Sequence, residues 1–337
     1  MARPPVAPVV WHPPPAPARA RQPRSASALP PLTILPVPGT GPEDATVGPD
    51  GRLYTGLDDG RILRWDADLT DVEVVADTGG RPLGIEVLGD DSLVVCDARR
   101  GLLRVDVAAK AVAVLCDTVD GQRMRFCNNA AVSANGAIYF TDSSRRFGID
   151  HWKADLIEHS GTGRLLRRDP DGTVTVLLDG LQFANGVALA ADESFVAVAE
   201  TGLYQVQRLW LTGERASTAD VLTANLPGFP DNISTGSDGL IWITIGSRRD
   251  ATLDRLSALP PVLRRLAWGL PERFQPAPVS TVWVMAVDTD GRLVHDYQAP
   301  GTDEFSLVTG VREVGGRVYL GSLTSSATAY FDVPEAV

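Results

Sequence analysis

The chain has 337 residues, of which 44% are hydrophobic, so it is long enough for one large domain with a full core or for two smaller ones. Its net charge of -11 argues against a nucleic-acid partner or an anionic membrane surface, because both attract a basic face. The three cysteines, Cys96, Cys116 and Cys127, lack metal-type spacing, which favours a reducing cytoplasm and leaves a Cys96–Cys116 bridge between neighbouring strands open.

The first segment, residues 1–31, is rich in proline and reads MARPPVAPVVWHPPPAPARARQPRSASALPP. It contains no apolar run long enough for a signal peptide or a membrane span. Its proline density predicts an extended arm that either wraps around the outside of the following domain or stays mobile. We expect that domain to comprise residues 32–337.

From about residue 45 onwards, an alternating apolar run followed by a polar turn recurs along the chain. The six copies begin at Ala45, Leu83, Asn129, Asn185, Asn232 and Thr309. Their turns read PDG, GDD, ANG, ADE, SDG and VGG, which are all suited to tight hairpins. Six copies of roughly 35 to 50 residues predict an all-β fold, a six-bladed β-propeller with four-stranded blades.

The sixth copy has room for three strands at most. The strand-like segment LTILPV, at residues 32–37, is therefore expected to complete the last blade from the other end of the chain and to close the ring.

Blades 3 and 5 carry insertions with short helical stretches, at residues 145–163 and 247–278. Insertions in repeat proteins lie on one face, which is often the binding face. Two roles are open for their apolar residues, which either form the wall or lid of a pocket or only pack against one another. These residues are Trp152, Leu156, Ile157, Leu263, Leu266, Trp268 and Phe274.

In a propeller the first strand of each blade lines the central channel. The strings GPEDA, FCNNA, FANGV and FPDNI each place a carboxylate or an amide just before such a strand. Glu43, Asn128, Asn185 and Asp231 from four blades are therefore expected to meet at one axis. Two carboxylates and two amide oxygens form a hard, all-oxygen ligand set, which suits calcium better than Zn²⁺ and leaves another divalent cation, such as Mg²⁺ or Mn²⁺, as an alternative.

The chain resembles the strictosidine synthase-like branch of the superfamily that also contains regucalcin and gluconolactonase. The resemblance is carried by GPEDATVGPDGRLYTGLDDGRILRW, TGGRPLGIE, CDARRGLL, IYFTDSS, GTGRLLRRDPDG, FANGVAL, GFPDNIS and VREVGGRVYLGSL. It implies a six-bladed propeller whose metal ligands, by comparison with the lactonase members, are Glu43, Asn128, Asn185 and Asp231. The family's Asn-Asp pair is Asn128-Asn129 here, which weakens any role for a carboxylate at position 129.

The same resemblance implies hydrolysis of a lactone or ester, in which the metal polarises the carbonyl and activates water. Asp231 is our first choice for the general base, and Glu43 is the second. One alternative is a condensing enzyme or lyase of the strictosidine synthase type that uses Glu313 as acid and base. Another is a non-catalytic propeller that binds a ligand and contains a structural metal.

We also expect some substrate contacts from residues close to the candidate ligands. Asn129 directly follows one of them, and His151 and Trp152 lie in the blade 3 insertion. The expected partner is a small-molecule substrate, with neither nucleic acid nor membrane, and the sequence does not predict the oligomeric state.

Overall fold

The structure, a computed structural model, describes residues 3–88, 92–271, 273, 275 and 277–334. It contains six four-stranded antiparallel sheets. The innermost strand of each sheet contacts the innermost strands of its two neighbours, so the sheets form a closed ring of blades. The predicted six-bladed propeller is confirmed.

The blades follow one another in chain order, each from its inner to its outer strand. Blade 1 contains β2 (Thr46–Val47), β3 (Leu53–Gly56), β4 (Arg61–Trp65) and β5 (Val72–Asp77). Blade 2 contains β6 (Pro82–Val87), β7 (Ser92–Asp97), β8 (Gly101–Asp106) and β9 (Ala111–Cys116). A short hairpin of β10 (Thr118–Val119) and β11 (Gln122–Arg123) follows. Blade 3 contains β12 (Cys127–Val132), β13 (Ile138–Asp142), β14 (Gly163–Arg168) and β15 (Val174–Leu181).

The remaining blades repeat this arrangement. Blade 4 contains β16 (Ala184–Leu189), β17 (Phe195–Glu200), β18 (Gln205–Trp210) and β19 (Ala219–Thr223). Blade 5 contains β20 (Gly228–Thr235), β21 (Ile241–Arg248), β22 (Thr281–Val287) and β23 (Leu293–Pro300). Blade 6 contains β24 (Val308–Val314), β25 (Arg317–Ser322), β26 (Ala327–Asp332) and, on its outer edge, β1 (Thr33–Pro36).

The N-terminal strand closes the ring as predicted. Strand β1 pairs antiparallel with β26, with Ile34 opposite Ala329, so the two ends of the chain share one sheet. This pairing covers what would otherwise be a free strand edge. The predicted turn GDD, residues 89–91, lies outside the described residues.

The helical segments are short and fall where the two insertions were predicted. Helix α1 (Trp152–Glu158) lies between β13 and β14, and α2 (Ala251–Ser257) and α3 (Pro261–Gly269) lie between β21 and β22. Short 3-10 turns occur at Ala18–Arg21, Ile149–His151 and Thr201–Leu203. No helix in the described part of the chain is long and apolar enough to cross a membrane.

The three cysteines are buried free thiols. Cys96 and Cys116 do not lie on neighbouring strands, because both are paired with Leu102 on the strand between them. Two strand spacings separate them by about 9.5 Å, whereas a disulfide requires Cα atoms within about 7 Å. The bridge that the sequence left open is therefore not formed.

The inner strands approach one another closely around the axis. A Cβ atom added to Gly186 of blade 4 would lie 2.1 Å from the backbone nitrogen of Ile233 in blade 5. Added to Gly84 or Gly310, it would lie 2.7 Å or 2.6 Å from a Cα atom of the next blade. Only glycine fits at these three positions without moving a neighbouring strand.

We expect Gly186→Ala to reduce the free energy of unfolding by about 3 kcal/mol or more, because the new methyl group must displace backbone rather than a flexible side chain. Urea denaturation measures the change. Gly269→Ala is the matched control, since a Cβ there would meet nothing within 4 Å. Equal stability of the two variants would contradict the close approach.

Candidate metal and ligand site

A cavity of about 170 Å³ opens at the end of the channel where the inner strands begin. Each of the six blades contributes one residue to its floor, from a position at or near the start of the inner strand. In blade order these residues are Glu43, Leu83, Asn128, Asn185, Asp231 and Thr309. The structure therefore brings the four predicted metal ligands together in one cavity.

The two asparagines are held so that their amide oxygens remain free. Asn128 Nδ2 donates to Ser143 Oγ at 2.9 Å, and Asn185 Nδ2 donates to Thr201 Oγ1 at 3.1 Å and to Asp231 Oδ1 at 2.8 Å. Both Oδ1 atoms are buried and lack a hydrogen-bond partner among the described residues. Because a buried acceptor without a partner is costly, these two oxygens are suited to hold a cation.

The carboxylates of Glu43 and Asp231 provide the negative charge of the site. Burial and then the charge of Asp231 raise the pKa of Glu43 well above its usual range. Burial raises the pKa of Asp231 to about 7. A bound cation would remove the repulsion between the two carboxylates and would favour their ionised forms.

The donor set therefore fits a hard divalent cation. It contains two amide oxygens and two carboxylates, the kind of ligand that calcium takes in proteins. The described residues contain no cluster of three or more His, Cys, Asp or Glu side chains suited to a metal. A cation at this position would thus depend on the amide oxygens of Asn128 and Asn185.

Asn232 is a residue of the site that we did not identify from the sequence. Its Nδ2 donates to both carboxylate oxygens of Glu43, at 3.1 and 3.2 Å. Asn232 is 1% exposed, and its own Oδ1 has no hydrogen-bond partner in the described part of the chain. Its position directly after Asp231 in FPDNI was the available signal.

Asn129, a predicted substrate contact, faces a neighbouring strand. Its Oδ1 accepts a hydrogen bond from the backbone N–H of Val187 at 2.9 Å, which joins blade 3 to blade 4. Asp44 makes the equivalent contact between blades 1 and 2, where its Oδ2 accepts from the backbone N–H of Ile85 at 3.0 Å. Asn129 therefore fixes the ring and is not found among the described residues that line the cavity.

Of the other two predicted substrate contacts, one lines the cavity and the other is not found among the described cavity residues. Trp152 lines the cavity from α1. His151 precedes it in the 3-10 turn and is absent from the described cavity wall.

Glu313 lies elsewhere in the propeller. It follows Thr309 by four residues along β24, a distance of about 13 Å in an extended strand. Its carboxylate accepts hydrogen bonds from Ser237 Oγ and from the backbone N–H of Gly316, at 2.9 and 2.6 Å. Glu313 thus ties blade 6 to a turn of blade 5, and it does not occur among the described cavity residues.

Large apolar side chains form the cavity's upper walls, and several come from the two insertions. These residues are Phe126, Ile149, Trp152, Leu156, Ile157, Phe183, Phe229, Leu253 and Leu256. Insertion residues Trp152, Leu156 and Ile157 therefore do line a pocket.

The other predicted insertion residues have different surroundings. Leu263 and Leu266 are 38% and 65% exposed on α3. Trp268 packs with Val6 and Phe147. Phe274 lies outside the described residues.

Comparison with protein-family models identifies two regions of the chain. Residues 128–214 match the strictosidine synthase model, and residues 27–65 match the strictosidine synthase-like N-terminal model. Among curated proteins, strictosidine synthase-like 7 of Arabidopsis thaliana is 34% identical over 92% of this chain and 86% of its own. The rat adipocyte plasma membrane-associated protein is 33% identical over 81% of this chain and 78% of its own.

Solved structures with the same fold are more distant in sequence. A gluconolactonase from Xanthomonas campestris has a TM-score of 0.66 and 20% identity, with 99% of each chain covered. Regucalcin from Agrobacterium tumefaciens, a calcium-binding protein, has a TM-score of 0.62 and 14% identity over 92% of this chain and all of its own. These findings confirm the resemblance that the sequence motifs indicated.

The raised pKa of Asp231 gives a pH-dependent prediction for the metal-free protein. Its folded state binds the proton more tightly than the unfolded state, so stability falls as pH rises from about 4 to about 7. We expect Asp231→Asn to raise the Tm in the presence of EGTA at pH 8, and to raise it much less at pH 5. Scanning calorimetry measures both values.

Asp303→Asn, which changes an exposed carboxylate, is the control and should leave the Tm nearly constant at both pH values. An equal gain for Asp231→Asn at pH 5 and pH 8 would show that the ionisation of this carboxylate is not the cause.

Proposed function

Since the chain belongs to the strictosidine synthase-like family, we propose that it is a calcium-dependent hydrolase of lactones or carboxylic esters. The main support is the pair of buried, unpartnered amide oxygens of Asn128 and Asn185, which lie in one cavity with Glu43 and Asp231. A ligand set of this kind leaves coordination positions for water and for a substrate carbonyl. The gluconolactonase and the calcium-binding regucalcin with the same fold support the same assignment.

Each polar residue of the floor has a role in this proposal. Calcium, when bound to Glu43, Asn128, Asn185 and Asp231, would polarise the substrate carbonyl, stabilise the oxyanion and lower the pKa of water.

Asn232 holds both oxygens of Glu43 through its Nδ2 and so fixes that carboxylate. Asn185 occupies Oδ1 of Asp231, so Oδ2 is our choice for the atom that accepts the proton from the attacking water.

The apolar walls determine which part of a substrate fits above the floor. Phe126, Phe183 and Phe229 project from the blades, while Trp152 and Leu256 come from the insertions. Such walls exclude water and bind hydrocarbon groups. We therefore propose substrates in which the ester or lactone carbonyl reaches the polar floor and an apolar substituent fills the space above.

The alternative of a condensing enzyme requires Glu313 to contact the substrate. Glu313 instead holds Ser237 and the backbone N–H of Gly316, in a buried position away from the cavity. The hydrolase is thus better supported than the condensing enzyme. A non-catalytic propeller with a structural metal is distinguished from the hydrolase by the following experiment.

We expect EGTA to abolish hydrolysis of 4-nitrophenyl butyrate and of a medium-chain δ-lactone, and CaCl₂ to restore it. Calcium at 100 times its Kd should also stabilise the fold by about 2.7 kcal/mol, because only the folded state assembles the site. Spectrophotometric assays and calorimetry measure the two effects. Calcium stabilisation without hydrolysis across the ester and lactone panel would indicate the non-catalytic propeller, and full activity after exhaustive chelation would refute the metal-dependent mechanism.

For Glu313→Gln we expect kcat/KM for the hydrolysed ester to stay within about threefold of the parent value, with some loss of Tm. The variant removes charge from a hydrogen-bonded carboxylate that lies away from the cavity. Steady-state kinetics below the Tm measures the effect. A loss of turnover by a factor of 100 in a folded Glu313→Gln protein would instead support a chemical role for that residue.

A further inference from the structure

The proline-rich arm contacts both insertions above the cavity. The backbone N–H of Val9 donates to the carbonyl of Glu158 in α1 at 2.8 Å, and that of Trp11 donates to the carbonyl of Ser257 in α2 at 3.0 Å. Arg264 of α3 is 1% exposed, and its guanidinium donates to the carbonyls of Val9 and, at 2.9 Å, Ile157. The arm therefore joins the two insertions that form the cavity walls.

Trp11 projects from this arm towards the propeller. Its indole stacks on the ring of His159 with a centroid distance of 4.3 Å and lies 5.8 Å from the ring of Tyr204. The indole also packs against the core cluster of blades 4 and 5, which contains Tyr204. Trp11 is therefore held by ring contacts on one side and by its backbone hydrogen bond to Ser257 on the other.

A second, much smaller cavity of about 10 Å³ separates Trp11 from the main one. Leu156, Phe229 and Leu253 line both cavities. The wall between Trp11 and the substrate space is thus a single layer of apolar side chains. Such side chains can change rotamer when space opens behind them.

We propose that Trp11 determines substrate specificity by closing this side of the cavity and limiting the length of the apolar substituent that fits. The inference depends on the proposed function for its substrate class, an ester or lactone with an alkyl substituent. Its structural basis does not depend on the proposed hydrolysis, because the indole fills space behind a thin apolar wall regardless of any reaction at the polar floor.

Truncation of Trp11 should extend the cavity rather than release the arm. The arm retains the hydrogen bonds from Arg264 to Val9 and from Arg249 to the carbonyl of Pro14. Most of the side chains around the vacated space are aliphatic or aromatic, so a hydrocarbon chain can occupy it. Each methylene that enters should raise kcat/KM about fourfold, as expected for about 0.8 kcal/mol per buried CH₂.

The test compares the wild type with Trp11→Ala and Trp11→Phe in the presence of calcium, on 4-nitrophenyl esters from acetate to decanoate. In Trp11→Ala, the chain length with the highest kcat/KM should increase by at least two carbons. Its kcat/KM for the longest ester should rise about tenfold or more, and that for acetate should stay within about twofold. Trp11→Phe should give an intermediate profile because it retains a ring against His159.

Trp210→Ala is the matched control. Trp210 is also a partly buried tryptophan packed on the same core cluster, and it lies at the end of β18 outside the described cavity wall. Its loss should lower the Tm and leave the chain-length profile unchanged. An equal change of profile in Trp210→Ala and Trp11→Ala would attribute the effect to general loosening and overturn the inference.

A binding measurement separates this inference from the proposed function. Isothermal titration calorimetry with butan-1-ol to decan-1-ol should show the same extension of preferred chain length in Trp11→Ala. If no protein hydrolyses any ester but this extension is found, the proposed function fails and the role of Trp11 stands. If Trp11→Ala and Trp11→Phe are folded and show the wild-type profile for both esters and alcohols, the role of Trp11 is refuted.

Discussion

The close approach of the six inner strands at the propeller axis is the constraint on which the rest of the structure depends. In each blade, one residue directly follows the channel-facing residue. Around the ring, this position is alternately a polar residue and a glycine. The six residues are Asp44, Gly84, Asn129, Gly186, Asn232 and Gly310. Each glycine lies against the polar residue of the next blade, where a Cβ atom would find no room. This alternation lets the ring close while Asp44 and Asn129 still bind backbone N–H groups of their neighbours.

A ring fixed in this way positions the cavity floor. The channel-facing residues immediately precede these six positions, so their direction is set by strands that cannot move independently. Ser143 and Thr201 then determine which end of each amide faces the cavity, because they accept hydrogen bonds from the Nδ2 atoms of Asn128 and Asn185. The strands and these hydrogen bonds therefore orient the side chains of the floor, and the ring holds the carboxylates of Glu43 and Asp231 close together despite their mutual repulsion.

Much of this organisation was predictable because it repeats. Period-two alternation and tight turns predicted the blades, and the position before each inner strand predicted the four residues that meet at the axis. The contacts of the residue directly after each candidate ligand were not predictable. A repeat pattern does not show whether that side chain forms a hydrogen bond with the neighbouring blade or with another residue of the site. Asn129 does the first and Asn232 the second, although both follow a candidate ligand. Likewise, Thr309 and Glu313 lie on the same strand, β24, but the length of that strand places Glu313 away from the cavity that Thr309 lines.

The proline-rich arm shows why composition alone could not predict its position. A polyproline-like stretch makes no hydrogen bonds within itself, so the carbonyls of the first part of the arm remain available to donors from elsewhere in the protein. Trp268 Nε1 binds the carbonyl of Pro4, and Arg249 binds that of Pro14, both at 2.9 Å. These donors lie in or next to the blade 5 insertion, more than 200 residues away in sequence. The segment that closes the last blade is thus preceded by one that covers the candidate site, and the N-terminal part of the chain connects the ring to the walls of its cavity.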